Sequence, residues 1–462
     1  MFRLRPFFIL KQSEFFMVTD FTKGNVGAAL ISFAFPLFLA NVLQSLYSVA
    51  DMMIVGRLVG SAGLAGVDNA ARICFLVTSL AGGVTTGGAV LVAQMKGAGD
   101  ERGVRESVGT LLSLSAIASL ILTVVCLAVG ETVMRAMRVP EGAMQYALDY
   151  FRILSLGTVF VFGYNAVSAI MRGLGDSKSP LVFVAVSVVL NVGLDLAFIG
   201  PLHLGTAGAA LATVLSEAVS FAIALARLKR GGYPFDFRLR SFRPIPRLTR
   251  AILKTGIPSA LQMAVLNLSY LLVNGMQNGF GVEVAAASGI GIKVNTIAVM
   301  PCWAIGQAVT TMCAQNIGAG DFVRVKKTAR AGIAAAVAVS AVTMIAVQIW
   351  MKPLVGLFNT DPAVVALGCR YLRICCSANL FAYAAMFVLD SLATGAGDTV
   401  FAMANSLVHS VAMRLSFSAL FCFAFGMGYE GIWWGESLSP IVPCAVAFAY
   451  YLSGIWKKRR LF

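Results

Sequence analysis

Ala93-Gln94-Met95-Lys96-Gly97-Ala98-Gly99-Asp100 returns as Ala314-Gln315-Asn316-Ile317-Gly318-Ala319-Gly320-Asp321, with six of eight positions identical at an offset of 221 residues. Gly173-Leu174-Gly175-Asp176 likewise returns as Gly395-Ala396-Gly397-Asp398 at an offset of 222, and Pro36 and Pro258 also differ by 222. One such match could arise from shared composition. Three at nearly one offset mark a duplicated chain. The expected local role of each Gly–Asp loop is simple: Gly closes one helix in a left-handed cap and Asp opens the next.

What is duplicated is strongly apolar. Of 462 residues, 58% are hydrophobic and only 12% charged, with a mean hydropathy of +0.83. Soluble proteins carry roughly 45–50% apolar and about 25% charged residues. Too little polar surface remains to coat the chain in water, which excludes soluble enzymes, secreted disulfide scaffolds and disordered regulators. Breaks by Gly, Pro and charge leave twelve apolar segments near the length of a spanning helix: 28–56, 62–95, 106–130, 143–171, 180–199, 206–227, 249–280, 284–314, 328–351, 363–393, 399–425 and 431–456. The longest imply tilt or kinks, with Pro36, Pro258 and Pro301 as candidates. Six segments per half is an even number, so both halves insert with one orientation, as a parallel repeat about an axis along the membrane normal.

The expected fold is an all-α integral membrane protein: twelve transmembrane helices in two parallel-repeat six-helix bundles. It divides into an N-terminal tail (1–24), an N-lobe (25–228), a basic connector (229–247) and a C-lobe with a short basic tail (248–462). The strong pattern begins at Asn25, which leaves Met17 beside Met1 as a candidate start. The Gly-x-x-x-Gly runs at Gly56–Gly60 and Gly83–Gly87 suit close helix packing inside the bundle, and the chain is expected to function as a monomer.

Lys and Arg number 36 against 21 Asp and Glu, a formal net charge of +15. Nine basic residues lie between Arg227 and Lys254 beside the single acid Asp236, and four more form Lys457-Lys458-Arg459-Arg460. No aromatic-interleaved basic stripe accompanies them, so the pattern is the positive-inside bias of a membrane protein and no nucleic-acid partner is expected. With both termini inside, the tails and even-numbered loops hold 26 of the 36 basic residues. The expected location is the cell inner membrane, with membrane lipid around the chain and both termini cytoplasmic. The nine cysteines form no C-x-x-C pair, and no Gly-Lys dipeptide is available for a P-loop. Any work must then draw on an ion gradient or a partner.

Acids within a spanning helix cost about 2.5–3.5 kcal/mol on insertion scales and default to a functional hypothesis. Asp195 stands in Leu190-Asn191-Val192-Gly193-Leu194-Asp195-Leu196, with apolar residues on both sides. Asn191 and Asp195 are four apart and share a helix face, offering oxygens to Na⁺ or a proton, or else forming a polar helix–helix clasp. Asp51 is either a second such acid or an acid at a helix end near the outer interface. Tyr150 and Thr213 could add oxygens. The metal-type set for Na⁺ would be Asp51, Asn191, Asp195 and Thr213. At the equivalent positions the second half has Met413 and Phe417 in place of Asn191 and Asp195, with Arg414 adjacent, and Val273 or Asn274 in place of Asp51. Its polar residues, Asp390, Arg414 and Asn274, are candidates for a C-lobe cavity. Asp390 is either a second cation-handling acid or the partner of Arg414 or Lys293. The coupling acids are expected in the N-terminal half, buried at mid-membrane depth.

These residues carry a resemblance. The twelve segments, Tyr47-Ser48-Val49-Ala50-Asp51-Met52-Met53-Ile54-Val55-Gly56, the Ala-Gln-x-x-Gly-Ala-Gly-Asp loops, Arg172-Gly173-Leu174-Gly175-Asp176 and Gly208-Ala209-Ala210-Leu211-Ala212-Thr213 resemble the multidrug and toxic compound extrusion (MATE) family, from about Asn25 to Trp456. Asp51, Tyr150, Asn191, Asp195 and Thr213 resemble the N-lobe cation site of its DinF-like branch. The NorM-like branch places acids in its seventh and tenth helices; here the seventh segment has none before Glu283 and Asp390 falls late in the tenth. The resemblance implies a secondary transporter, not an enzyme, without a cofactor beyond Na⁺ or H⁺ as coupling ion, that exports small amphipathic, often cationic compounds. A lipid-linked oligosaccharide flippase of related fold would need more clustered basic residues than Arg172, Lys293 and Arg414. An integral membrane transferase would need clustered acids to hold Mg²⁺.

Overall fold

The computed structural model describes residues 18–461; the expectations for Met17 and most of the N-terminal tail lie outside them. Helices follow one another with short connections: α1 Val26–Leu58, α2 Ser61–Gly97, α3 Glu101–Ala136, α4 Glu141–Leu156, α5 Thr158–Leu174, α6 Lys178–Ile199, α7 Gly205–Arg230, α8 Pro246–Asn278, α9 Val282–Gly318, α10 Phe322–Gly356, α11 Pro362–Cys375, α12 Asn379–Ala396, α13 Thr399–Ala424, α14 Tyr429–Leu438 and α15 Ile441–Ser453. Ten of these are long and apolar enough to cross a membrane singly, and α4 with α5 makes an eleventh span bent by 51°. The bend falls at Gly157, where a Cβ would collide with Val214. α14 and α15, each too short alone, follow end to end and complete a twelfth segment.

All four Gly–Asp loops are built as the repeat suggested. Gly99, Gly175, Gly320 and Gly397 have positive φ, which a residue without Cβ adopts at little cost. Asp100 accepts from the Gly103 amide (2.8 Å), Asp321 from Arg324 (2.8 Å), Asp176 from Ser179 (2.9 Å) and Asp398 from Phe401 (3.3 Å). Each carboxylate thus satisfies an orphan donor at a helix start.

The two halves meet by exchanging partners. α1 packs against α9, α8 packs against α2, and α2 touches α9. Gly83 and Gly87 do contribute close packing, but between the halves: added Cβ atoms would strike the backbone at Gly256 and Ile252. Gly56 and Gly60 meet no such neighbour, so that second pair does not carry helix crossing. The helices run through Pro36, Pro258 and Pro301. The non-helical backbone in α10 lies instead at Trp350, just before Pro353, whose ring obstructs the preceding turn.

At the end of the molecule that carries the Gly–Asp loops, the halves are latched reciprocally. Gln94 Nε2 donates to the Gly395 carbonyl (3.0 Å) and Gln315 Nε2 to the Gly173 carbonyl (2.9 Å). Gly97 lies against Gln315 and Gly318 against Gln94, so closely that any Cβ would overlap backbone. The chain ends complete the arrangement: Phe21 N donates to Gln315 Oε1 (3.2 Å) and Leu461 N to Gln94 Oε1 (3.1 Å). In the connector, the Ser241 hydroxyl donates to Asp236 (2.6 Å) and holds that carboxyl below the usual carboxylate range.

Candidate cation pocket and C-lobe cavity

In the N-terminal half, α1, α4, α6 and α7 bring their polar residues together. Asp51 on α1 and Asp195 on α6 are buried, and their carboxyl groups approach within hydrogen-bonding reach of each other. Neither takes part in a salt bridge among the described residues. Asn191 is one turn back from Asp195; its Nδ2 donates to Thr213 Oγ1 (3.3 Å), while its Oδ1 is left without a donor. Tyr150 is buried close enough to interact electrostatically with both carboxylates. The five residues singled out in the sequence are therefore brought together in one polar cluster.

Two more belong to it. The Tyr47 hydroxyl lies 3.2 Å from Thr213 Oγ1, and Glu217, with an unpartnered Oε2, acts electrostatically on Tyr47. The signal for both was a spacing of four: Tyr47 to Asp51 on α1, and Thr213 to Glu217 on α7. The pocket does not sit at the middle of its helices. Asp51 is seven residues from the end of α1 and Asp195 four from the end of α6, in the half away from the Gly–Asp loops.

Chemically, the pocket is a set of hard oxygens: two facing carboxylates, an amide oxygen and hydroxyls. Two bare carboxylates so close repel strongly in a low-dielectric interior. A shared proton or a small cation between them would relieve that repulsion.

The second half is different. A cavity of about 290 Å³ lies among α8, α9, α11–α12, α13 and α14, lined by Asn274, Tyr270, His409, Arg414 and Glu436. Of the three residues expected there, Asn274 and Arg414 line it. Asp390 does not: it is buried between α12 and α13 and accepts from Asn405 Nδ2 (2.8 Å). The pairing of Asp390 with Arg414 or Lys293 is also corrected, since neither base forms a salt bridge among the described residues. Arg414 stands 4.2 Å above the Tyr270 ring. It follows a π-helical stretch, Val408–Met413, an irregularity frequent at functional sites. An apolar groove of about 720 Å³ between the halves, floored by α2, α3 and α8, shares Asn267, Tyr270 and Asn274 with this cavity.

Comparison with known proteins agrees with this architecture. The sequence pattern of the MatE family matches residues 36–197 and 258–428. The chain is 33% identical over 449 residues to the probable multidrug resistance protein YpnP of Bacillus subtilis (strain 168), covering 96% of this chain and 98% of that protein. It is 27% identical over 447 residues to the probable multidrug resistance protein NorM of Thermotoga maritima, covering 94% of each. Among solved structures, a MATE protein in complex with MaL6 superposes with a TM-score of 0.90 at 22% identity, over 95% of this chain and 98% of that one. An outward-facing multidrug resistance MATE family transporter superposes with a TM-score of 0.89 at 22% identity, over 95% and 98%. The likeness extends over nearly the whole chain, through both halves and the two-lobe fold, and this multi-pass membrane protein therefore belongs to the MatE family, the multidrug and toxic compound extrusion proteins, which are secondary active transporters and not enzymes.

Proposed function

We propose that the protein exports amphipathic, often cationic drugs or toxic metabolites in exchange for Na⁺ or H⁺, and that it works as a DinF-like MATE transporter with its coupling site in the N-lobe. The observation that carries this reading is the pair of facing, buried carboxylates Asp51 and Asp195, without a salt-bridge partner among the described residues and surrounded by Asn191, Thr213, Tyr47 and Tyr150. The relatives named multidrug resistance or export proteins support the cargo class. The absence of an equivalent acid pair opposite, where Val273 or Asn274 and Phe417 stand, favours one ion-handling lobe.

In this reading the lobes are residues 25–228 and 248–462, joined by the connector 229–247, and the basic end with both termini faces the cytoplasm. The latched Gly–Asp end then closes the inner side, and the groove between α2, α3 and α8 opens outward. The cation loads between Asp51 and Asp195 from outside and relieves the repulsion of the pair. Lobe rocking breaks the latches and releases the cation inward, and the returning molecule carries its cargo out. An inward drive of 100 mV contributes about 2.3 kcal/mol per elementary charge.

The test is efflux of a fluorescent cationic dye from proteoliposomes under an imposed Na⁺ gradient, an imposed pH gradient, or neither. Efflux driven by one of the two gradients supports the reading and names the ion. Efflux indifferent to both overturns it.

A further inference from the structure

The C-lobe cavity brings together a basic and an acidic side chain, Arg414 and Glu436, near enough to act on each other electrostatically but not paired. Arg414 is 3% exposed, and its guanidinium is permanently charged with five donors. Among the described residues Nη2 donates to the Tyr270 hydroxyl (3.5 Å) and the guanidinium stands over the Tyr270 ring, while Nε and Nη1 have no hydrogen-bond partner. Glu436 lines the same cavity from α14. One of its oxygens, Oε2, accepts from the Tyr371 hydroxyl (3.2 Å), and the two residues form no salt bridge among the described residues. A buried charged donor left unused is costly inside a membrane protein unless something in the cavity accepts from it. Asn267, Tyr270 and Asn274 line both this cavity and the neighbouring groove bordered by Phe75, Leu76, Leu268 and Leu271.

We infer that this cavity is a binding site for an amphipathic zwitterion, whose carboxylate takes the free donors of Arg414, whose ammonium faces Glu436, and whose apolar body lies in the interlobe groove. The inference adds a site and a charge pattern to the cargo class proposed above. It rests on the transport reading only for what happens to the ligand after binding, not on the coupling ion. Carboxylate recognition by an arginine and ammonium recognition by a carboxylate are both charge-assisted and directional. A purely cationic ligand would satisfy Glu436 and leave Arg414 bare.

The experiment uses p-benzoyl-phenylalanine, its methyl ester and its N-acetyl derivative, titrated calorimetrically against the purified protein in nanodiscs without any gradient, so that its outcome is independent of coupling. The zwitterion is expected to bind at least about tenfold more tightly than either derivative. Arg414→Gln should weaken the zwitterion and the N-acetyl compound about tenfold and leave the ester within about twofold. Glu436→Gln should weaken the zwitterion and the ester and spare the N-acetyl compound. Ultraviolet cross-linking of the benzophenone, mapped by mass spectrometry, should label residues of the cavity and groove. Should Arg414→Gln fail to fold, the three-ligand series on the unaltered protein and the Arg414→Lys variant carry the test. Equal affinity for all three compounds, no saturable binding of any, or cross-links confined to other surfaces would overturn the inference.

Discussion

The loop end and the membrane-buried pockets are made by the same duplication and have diverged to very different degrees. At the loop end the halves are still near copies: Gln94 reaches Gly395 and Gln315 reaches Gly173, Gly97 faces Gln315 and Gly318 faces Gln94. In the pockets, one half carries Asp51 and Asp195 where the other carries Val273 or Asn274 and Phe417. The difference teaches where symmetry is required. A contact that must close both lobes against each other is satisfied by equal and reciprocal parts. Sites that bind different things need different chemistry, and only the helix scaffold beneath them has to repeat.

The largest expected effect tests the asymmetry of the pockets. Asp195→Asn should abolish gradient-driven efflux at normal expression, because it removes half of the facing pair. The same change at the buried C-lobe acid, Asp390→Asn, should leave efflux within about twofold, since an Asn oxygen still accepts from Asn405. Full transport by Asp195→Asn, or a comparable loss in both variants, would break the comparison. Glu217→Gln is expected to have an intermediate effect. Removing that carboxyl one turn from Thr213 should raise the cation concentration for half-maximal efflux about tenfold, or ~1.4 kcal/mol, and an unchanged value would place Glu217 outside the site's function. The smallest effect tests the symmetry of the latch. Gln94→Ala and Gln315→Ala should each cost about 1 kcal/mol of loop-end closure and do so equally, read as the shift in accessibility of a cysteine-reactive probe at the loop end. Unequal shifts would show that the two latches are not equivalent.

Much of this was legible in the chain itself, and for identifiable reasons. The duplicated Gly–Asp loops depend on local backbone chemistry, left-handed glycine and an Asp cap, which acts over a few residues and leaves a readable pattern. Twelve segments followed from apolar length, and Asn191 with Asp195 from helical periodicity. The sequence also singled out five residues that the fold brings together in the N-lobe, because each is a polar side chain set in an apolar helix, where it stands out without any knowledge of the packing.

What tertiary structure alone decided was which residues share space across different helices. Tyr47 and Glu217 join the N-lobe pocket, Asp390 turns to Asn405 instead of to a base, Gly83 and Gly87 face the opposite half, and Arg414 meets Glu436 across a cavity without pairing with it. Helix formation in a membrane is settled by contacts within one turn and by the lack of water to bond the backbone. Helix packing is settled by side-chain shape and partner geometry between segments far apart in the chain, which no local pattern records.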